Sequence, residues 1–288
     1  MASAQPTLFR HPELPKVPTH LKMRAQDRIT QAKIACNLAT YALLSSTRLL
    51  PHDKRLQNSR HWYRFPFSLR DKVLWSPALK AWFRPADESA TECMLKMPAY
   101  EPTGWVEPKP GEVFVDVGAY IGWYSIAASQ GVGPAGQVIA LEPDAANRRQ
   151  LQDNLALNCI SNVSLVPSAA WSKSGRVGWQ ASDVPVWHAA SGNGDGAASV
   201  EAVAIDDLVR QMQLPRVDWI KMDIEGGEVA ALEGASSTLQ RFHPTLFIEL
   251  HETFAAVSKF LRPYGYSTTR VEFDLEPEKH GWLLACHQ

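Results

Sequence analysis

Four short stretches of this sequence hold residue types that could do chemistry. The run Val113-Phe-Val-Asp-Val-Gly-Ala-Tyr-Ile-Gly carries Asp116, Gly118 and Gly122 out of an apolar stretch. If that stretch is a buried strand, these residues lie at its carboxyl end, where open α/β sheets bind nucleotide-like ligands. Gly118 would let a ligand approach the backbone, and Gly122 would let the next helix sit close to the strand. A strand-to-helix turn needing two glycines explains the pair equally well. A second acid, Glu142, ends the run Val138-Ile-Ala-Leu, 24 residues after Gly118. A carboxylate there can accept both hydroxyl protons of a ribose, and Asp144 can cap the helix that follows. Farther on, Asp223 and Glu225 follow one apolar run, and Glu249 and His251 end another. Alternation along an extended strand turns Asp223 and Glu225 the same way, and likewise Glu249 and His251. Two adjacent parallel strands would then gather three carboxylates and an imidazole, a set suited to proton transfer or to a divalent ion.

Positioning these residues requires a particular order of elements. Strands are expected at Val113–Val117, Gln137–Leu141, Val163–Ser168, Trp219–Asp223 and Thr245–Leu250. Helices are expected at Gly122–Gln130, Asp144–Asn158, Gly227–Gln240 and Thr253–Leu261. Short apolar runs alternating with helical patterns predict a mostly parallel sheet with helices on both faces. Tyr266–Phe273 and Trp282–Ala285 would add an antiparallel pair at its edge. Residues 175–205 read as short strands around a Gly/Ser/Asn loop. The N-terminal part differs: a Pro-rich tail over residues 1–19, then a helical pattern to Leu50 with Ile34, Leu38 and Tyr41 on one face. An aromatic and proline-rich segment follows, with Trp62, Tyr63, Phe65, Phe67, Trp75, Trp82, Phe83 and Trp105. Two parts are therefore expected, 1–110 as an extension and 111–288 as the α/β domain.

The chain has 288 residues, 45% hydrophobic and 20% charged, with a formal net charge of −1. That size and balance fit one globular domain with an extension, and exclude a collagen-like or disulfide-built protein. The four cysteines, Cys36, Cys93, Cys159 and Cys286, form no C-x-x-C pair, so a zinc ribbon or thioredoxin-type centre is not expected. We expect buried thiols in a reducing cytosol. The longest nearly apolar run, Ile34–Leu44, has about half the length of a membrane span, so no membrane segment and a cytoplasmic location are expected. The net charge hides an asymmetry: residues 1–110 carry 17 Lys/Arg against 9 Asp/Glu, and residues 111–288 carry 12 against 21. The basic part can dock on an acidic body, or attract an anionic partner through residues such as Arg48, Lys54, Arg55, Arg60 and Arg64.

Four segments carry a resemblance to a known family: DVGAYIGWYS from Asp116, VIALEPDAANRRQLQDNLALN from Val138, VDWIKMDIEGGEVAALEGA from Val217 and PTLFIELHE from Pro244. Across residues 111–286 the chain resembles a class I S-adenosylmethionine-dependent methyltransferase of the FkbM type. The third and fourth segments are the specific ones. The resemblance implies a Rossmann-like α/β fold with S-adenosyl-L-methionine as cofactor. It implies that Asp116, Gly118 and Ala119 line the methionine end, with Tyr120 and Gly122 in the same turn. Glu142 would hold the ribose hydroxyls, and the backbone at Ser168 and Ala169 would face the adenine. Tyr120 stands where the family often has Asn, and Ser168 where an Asp often binds the adenine amine.

Within that resemblance, the candidates for removing an acceptor proton are His251, Asp223 and Glu249, with His251 preferred. Glu225, Trp187 and His188 are candidates for binding the acceptor. A metal assisting at this Asp/Glu/His set is the rival, and none is expected. The acceptor implied is a hydroxyl on a sugar or other small natural product, with nucleic acid not expected. Rival readings are a nucleic-acid or N-methyltransferase using the basic N-terminal part, and a non-catalytic scaffold. The N-terminal helix is long enough to pair with its copy in a homodimer.

Overall fold

The computed structural model describes residues 24–46, 67–85, 90–91, 103–180, 189–191, 198–271 and 280–288. They fall into two units, one within Glu13–Glu101 and one within Pro102–Gln288. The segment 103–110, expected with the extension, thus groups with the larger unit, where Pro108 lies against Gly131.

In the smaller unit, β1 (Arg24–Ala25) leads into α1 (Arg28–Ser46), and β2 (Leu74–Ser76) and β3 (Ala81–Phe83) complete an antiparallel sheet in the order β1-β2-β3. The helix agrees with the sequence reading; the sheet is additional to it. Its cause is local. Leu74, Ser76, Ala81 and Phe83 alternate inward, while Trp75 and Trp82 pair edge-to-face across the strands at 5.3 Å. Buried Asn37 ties α1 to the backbone of Phe67, donating to its carbonyl at 2.8 Å and accepting its N–H at 3.0 Å.

The larger unit is built on a seven-stranded sheet. Its parallel strands are β4 (Val113–Val117), β5 (Gln137–Leu141), β6 (Val163–Val166), β11 (Trp219–Met222) and β12 (Thr245–His251). The antiparallel pair β13 (Tyr266–Val271) and β14 (His280–His287) closes one edge, giving the order β13-β14-β12-β11-β4-β5-β6. Helices α2 (Trp123–Val132), α3 (Ala145–Leu157), α4 (Ile205–Gln211), α5 (Glu228–Glu233), α6 (Ser236–Phe242) and α7 (Phe254–Leu261) accompany it. From β4 the chain adds β5 and β6 on one side and returns to add β11 on the other. The gap between β4 and β11 is therefore the topological switch point, the place where such sheets take ligands.

The central strands are buried on both faces, and period-two alternation divides their side chains. Val113, Val115, Val117, Ile220, Met222, Leu246, Ile248 and Leu250 belong to one apolar core. The intervening residues Phe114, Asp116, Trp219, Lys221 and Phe247 face the other way. There Phe114 stacks on Trp219, and Phe247 stacks on Trp282 at 4.4 Å with Tyr124 against both.

Residues 175–203 form short strands as expected, β8 (Gly175–Gln180), β9 (Ala189–Ser191) and β10 (Ser199–Val203), and these join β7 (Ala169–Ala170) in a separate four-stranded sheet. Three points differ from the sequence reading. Helix α4 was not expected, since it is only seven residues long and its apolar pattern is too short to stand out. The single helix expected at Gly227–Gln240 is two, α5 and α6. At Gly234 even a methyl group would collide with the Trp171 carbonyl, and Asp206 caps α6 by accepting the N–H groups of Ser237 and Thr238 at 2.8 Å. Finally, Cys36, Cys159 and Cys286 are exposed, not buried; Cys159 sits in a left-handed turn just after α3, where the chain faces water. No helix among the described residues is long and apolar enough to cross a membrane.

One contact at the switch point is unusually restrictive. Gly118 has φ +76°, and a Cβ placed there would strike the Asp223 carbonyl of the neighbouring strand end. Gly118→Ala should therefore lose about 2–4 kcal/mol of stability, since both the backbone angle and the space oppose it. Urea denaturation checks this; a loss under about 0.5 kcal/mol would mean the two strand ends separate easily.

Candidate functional site

The site forms at the carboxyl ends of β5, β4, β11 and β12. After β4 the backbone turns sharply, with Gly118 N–H and Ala119 N–H both donating to the Leu141 carbonyl at 3.1 and 3.0 Å. Tyr120 follows in the left-handed region at φ +49°, and Gly122 at φ +98°. This explains why residue 120 suits Gly or Asn, which adopt that conformation most readily. At Gly122 a Cβ would run into Leu151 of α3, so the glycine lets α2 begin close against α3.

Glu142 sits at the end of β5, buried, with its carboxylate held by this turn. Its Oε2 accepts the Tyr120 N–H at 2.8 Å, and its Oε1 accepts the Asp144 N–H at 2.9 Å. Asp144 caps α3 through the N–H groups of Ala146 and Asn147. Burial pushes the Glu142 carboxyl up to about 7, against the opposing effect of the backbone donors. Ser168 is half-buried at the end of β6, while the Ala169 side chain packs into the small sheet with Val177 and Ala202. Trp187 and His188 lie outside the described residues.

Asp116 behaves differently from an acid lining a crevice. Its carboxylate is fully buried, with Oδ2 accepting from Ser125 Oγ at 2.6 Å and Oδ1 3.5 Å from Lys221 Nζ. Burial raises its pKa, opposed by the Lys221 charge and the Ser125 hydroxyl. Its side chain thus sits behind the Gly118 turn and meets Ser125 and Lys221.

The second half of the site is the turn after β11. The strand stops at Met222, and Glu225 reaches the site through a left-handed turn (φ +51°), followed by Gly226 at φ +97°. Strand alternation therefore does not orient Glu225, contrary to the sequence reading, although its carboxylate still faces the site. His251 Nε2 lies 3.4 Å from Glu225 Oε2, and His251 Nδ1 lies 2.9 Å from Glu228 Oε1. Glu228, at the start of α5, is wholly buried and also accepts from the Gly226 N–H at 3.0 Å and Thr253 Oγ1 at 3.1 Å. With a carboxylate as partner, Nδ1 is the donor, which turns Nε2 toward Glu225. Burial alone would lower the imidazole's pKa. The Glu228 hydrogen bond and the charges of Asp223, Glu225 and Glu228 outweigh it and push His251 up to about 9. Burial pushes Glu225 up to about 7, opposed by the His251 charge. Asp223, Glu249 and His251 each present a ligand-type atom within 4.8 Å of the others, so these three could hold a metal ion.

Glu228 and Lys221 were not among the residues singled out from sequence. Glu228 reads there as one more acid in a helix's first turn. Lys221 carried a clearer signal, a lone charge in the otherwise apolar strand Trp219-Ile-Lys-Met.

A family model for the methyltransferase FkbM domain matches residues 116–268, just over half of the chain. The chain belongs to the FkbM methyltransferase family. Hexuronic acid methyltransferase AglP of Haloferax volcanii is 24% identical over 145 residues, 50% of this chain and 58% of that relative. Among solved structures, a methyltransferase FkbM from Methylobacillus flagellatus KT is 20% identical with a TM-score of 0.48, covering 68% of this chain and 53% of that one. Fibrillarin of Aeropyrum pernix, in complex with natively bound S-adenosyl-L-methionine, is 15% identical with a TM-score of 0.45 over 66% of this chain and 74% of that one. The chain spans under two thirds of the length of the first two.

S-adenosyl-L-methionine is the cofactor of this FkbM domain. The residues present fit it. Glu142 follows a strand at the switch-point side of the sheet, with Oε1 oriented by the Asp144 N–H and the Asn147 amide and Oε2 by the Tyr120 N–H, and Oε2 has acceptor capacity for a ribose hydroxyl. Gly118 brings the turn after β4 directly against the Asp223 backbone at the switch point.

Hydroxyl donors favour the ionised carboxylate, so cofactor binding should draw a proton off Glu142. The affinity for S-adenosylhomocysteine should therefore weaken as pH falls below about 7, by up to about tenfold per unit. Calorimetry in buffers of different ionisation enthalpy reads both the affinity and the released proton. Glu142→Gln should lose the pH step and weaken binding about tenfold or more, about 1.4 kcal/mol.

Proposed function

We propose that this chain transfers a methyl group from S-adenosyl-L-methionine to a hydroxyl oxygen of a sugar or other small natural product, with His251 as the base. The observation that carries this reading is the imidazole of His251: one nitrogen is tied to buried Glu228, and the other is turned toward the acidic cluster. The cofactor supplies an electrophilic methyl group on a sulfonium. The protein's part is to position the acceptor and remove its proton.

An aliphatic hydroxyl is a weak nucleophile until that proton is taken. In this reading His251 Nε2 takes it, while Glu228 keeps the ring from rotating and stabilises the imidazolium that forms. Asp223, Glu225 and Glu249 surround the same nitrogen-bearing edge and favour the added positive charge. Asp223 and Glu249 are the secondary candidates for the proton, and Glu225 for a hydrogen bond from the acceptor. A sugar acceptor draws support from the relative whose name says that it methylates a hexuronic acid.

The raised pKa of His251 fixes the sign of the pH dependence. Below about 9 most of the imidazole already holds a proton and cannot act as a base. The rate should rise about tenfold per pH unit from 6 toward 8 and level near 9. His251→Asn should cost about 10² to 10⁴ in rate and remove the rise. The assay follows S-adenosylhomocysteine release with a panel of glycosides, uronates and polyols; a flat profile in the wild type would sink His251 as the base. A second reading comes from the spacing of Asp223, Glu249 and His251, which suits a divalent ion that would hold and acidify the acceptor hydroxyl. Chelation separates the two: activity unaffected by EDTA favours the base, and activity lost and then restored by Mg²⁺ or Mn²⁺ favours the ion.

A further inference from the structure

Lys221 lies inside the sheet at the switch point, with its side chain only 3% exposed. In the strand register it stands directly opposite Asp116 of β4 on one side and Phe247 of β12 on the other. Its ammonium has three donors and serves more than the Asp116 carboxylate: Nζ donates to the Gly118 carbonyl at 3.0 Å, with Asp116 Oδ1 3.5 Å away and Asp223 Oδ2 3.8 Å away. Asp116 takes its short hydrogen bond from Ser125. The Tyr124 ring lies 4.8 Å from Nζ and fixes the ammonium from a further direction.

Three things therefore converge on one ammonium: the carbonyl of the cofactor turn, the buried acid behind that turn, and the first carboxylate of the acceptor-side turn. The two turns already touch, because Gly118 abuts the Asp223 carbonyl, and the Asp223 N–H donates to Val117 at 3.1 Å. We propose that Lys221 is a positioning residue of the methyl-transfer site, setting the Gly118 turn against the Asp223 carboxylate, and not only a neutralising partner for Asp116. The inference rests on the reading of this site as one that binds S-adenosylmethionine.

The test separates neutralisation from positioning. Thermal unfolding and S-adenosylhomocysteine calorimetry are run on the full chain as wild type, Asp116→Asn, Lys221→Met, and the double variant Lys221→Met/Asp116→Asn. Lys221→Met alone leaves Asp116 buried without its cation and should unfold at a clearly lower temperature. The double variant removes both charges and should recover the unfolding temperature of Asp116→Asn. Its affinity should nevertheless stay about tenfold or more below that of Asp116→Asn. The carbon-13 resonance of methyl-labelled S-adenosylmethionine should also move in the double variant, because Asp223 is no longer held beside the turn. A double variant that binds as tightly as Asp116→Asn with an unmoved resonance overturns the inference and leaves the proposed function standing. A double variant that cannot fold also overturns it, by making Lys221 a requirement of the core. A wild type that binds neither ligand overturns both.

Discussion

The close approach of Gly118 to the Asp223 carbonyl is the constraint on which the site depends. Two strand ends that diverge in sequence by a hundred residues meet there without room for a methyl group. Because β4 and β11 are neighbours in the sheet, their carboxyl ends must open into one crevice, and the chain must turn away on both sides of it. On the β4 side the turn is made by Gly118, Tyr120 and Gly122 at positive φ; on the β11 side it is made by Glu225 and Gly226. A left-handed tyrosine and a left-handed glutamate are costly conformations for residues with side chains. Both are held by neighbours: the Tyr120 N–H by Glu142, and the Gly226 N–H by Glu228. The carboxylates that could do chemistry are thus also the acceptors that keep the two turns in place.

That double use accounts for the electrostatics. Asp116 and Asp223 lie beside Lys221, and Asp223, Glu225, Glu228 and Glu249 gather at His251, while burial makes Asp116, Glu142 and Glu225 harder to ionise. The result is a graded set: Glu142 and Glu225 pushed up to about 7, and His251 up to about 9. In the proposed reading, Glu142 would hold ribose hydroxyls best when ionised, and His251 would take a proton only when neutral. Both requirements move in the same direction as pH rises, so cofactor affinity and base strength should improve together in mildly alkaline conditions. Lys221 and the imidazolium are the charges that make this density of acid tolerable in a nearly dry setting.

The sheet was legible in the sequence because its strands are short apolar runs, and its helices alternate with them at regular spacing. Val113–Val117 and Gln137–Leu141 are read to the residue, since each is bounded by residues that cannot continue it. Glu142 was legible for the same reason: it is the first charge after an apolar run. The pairing of His251 with Glu228 was not, because it joins a strand end to a helix start 23 residues away, and no periodicity reports such a contact. The break between α5 and α6 was also hidden. Its cause is a close contact of Gly234 with Trp171, which belongs to another part of the chain, and helical periodicity alone runs straight across it.

Trp171 shows how the part of the chain least like a plain sheet-and-helix pattern reaches the chemistry. It follows β7, the strand that starts the separate four-stranded sheet, and its N–H donates to the Val203 carbonyl at the end of β10. Its ring lies against Gly227 and its backbone against Gly234, so it packs at both ends of the six-residue helix α5. That helix carries Glu228, which orients His251. A displacement of the small sheet would therefore be felt at the imidazole through two packed glycines and one carboxylate. Short helices with glycine at each flank have little hydrogen bonding of their own to resist such a push. The orientation of His251 thus depends on packing from a segment far from it in sequence, through Trp171 against the helix that carries Glu228.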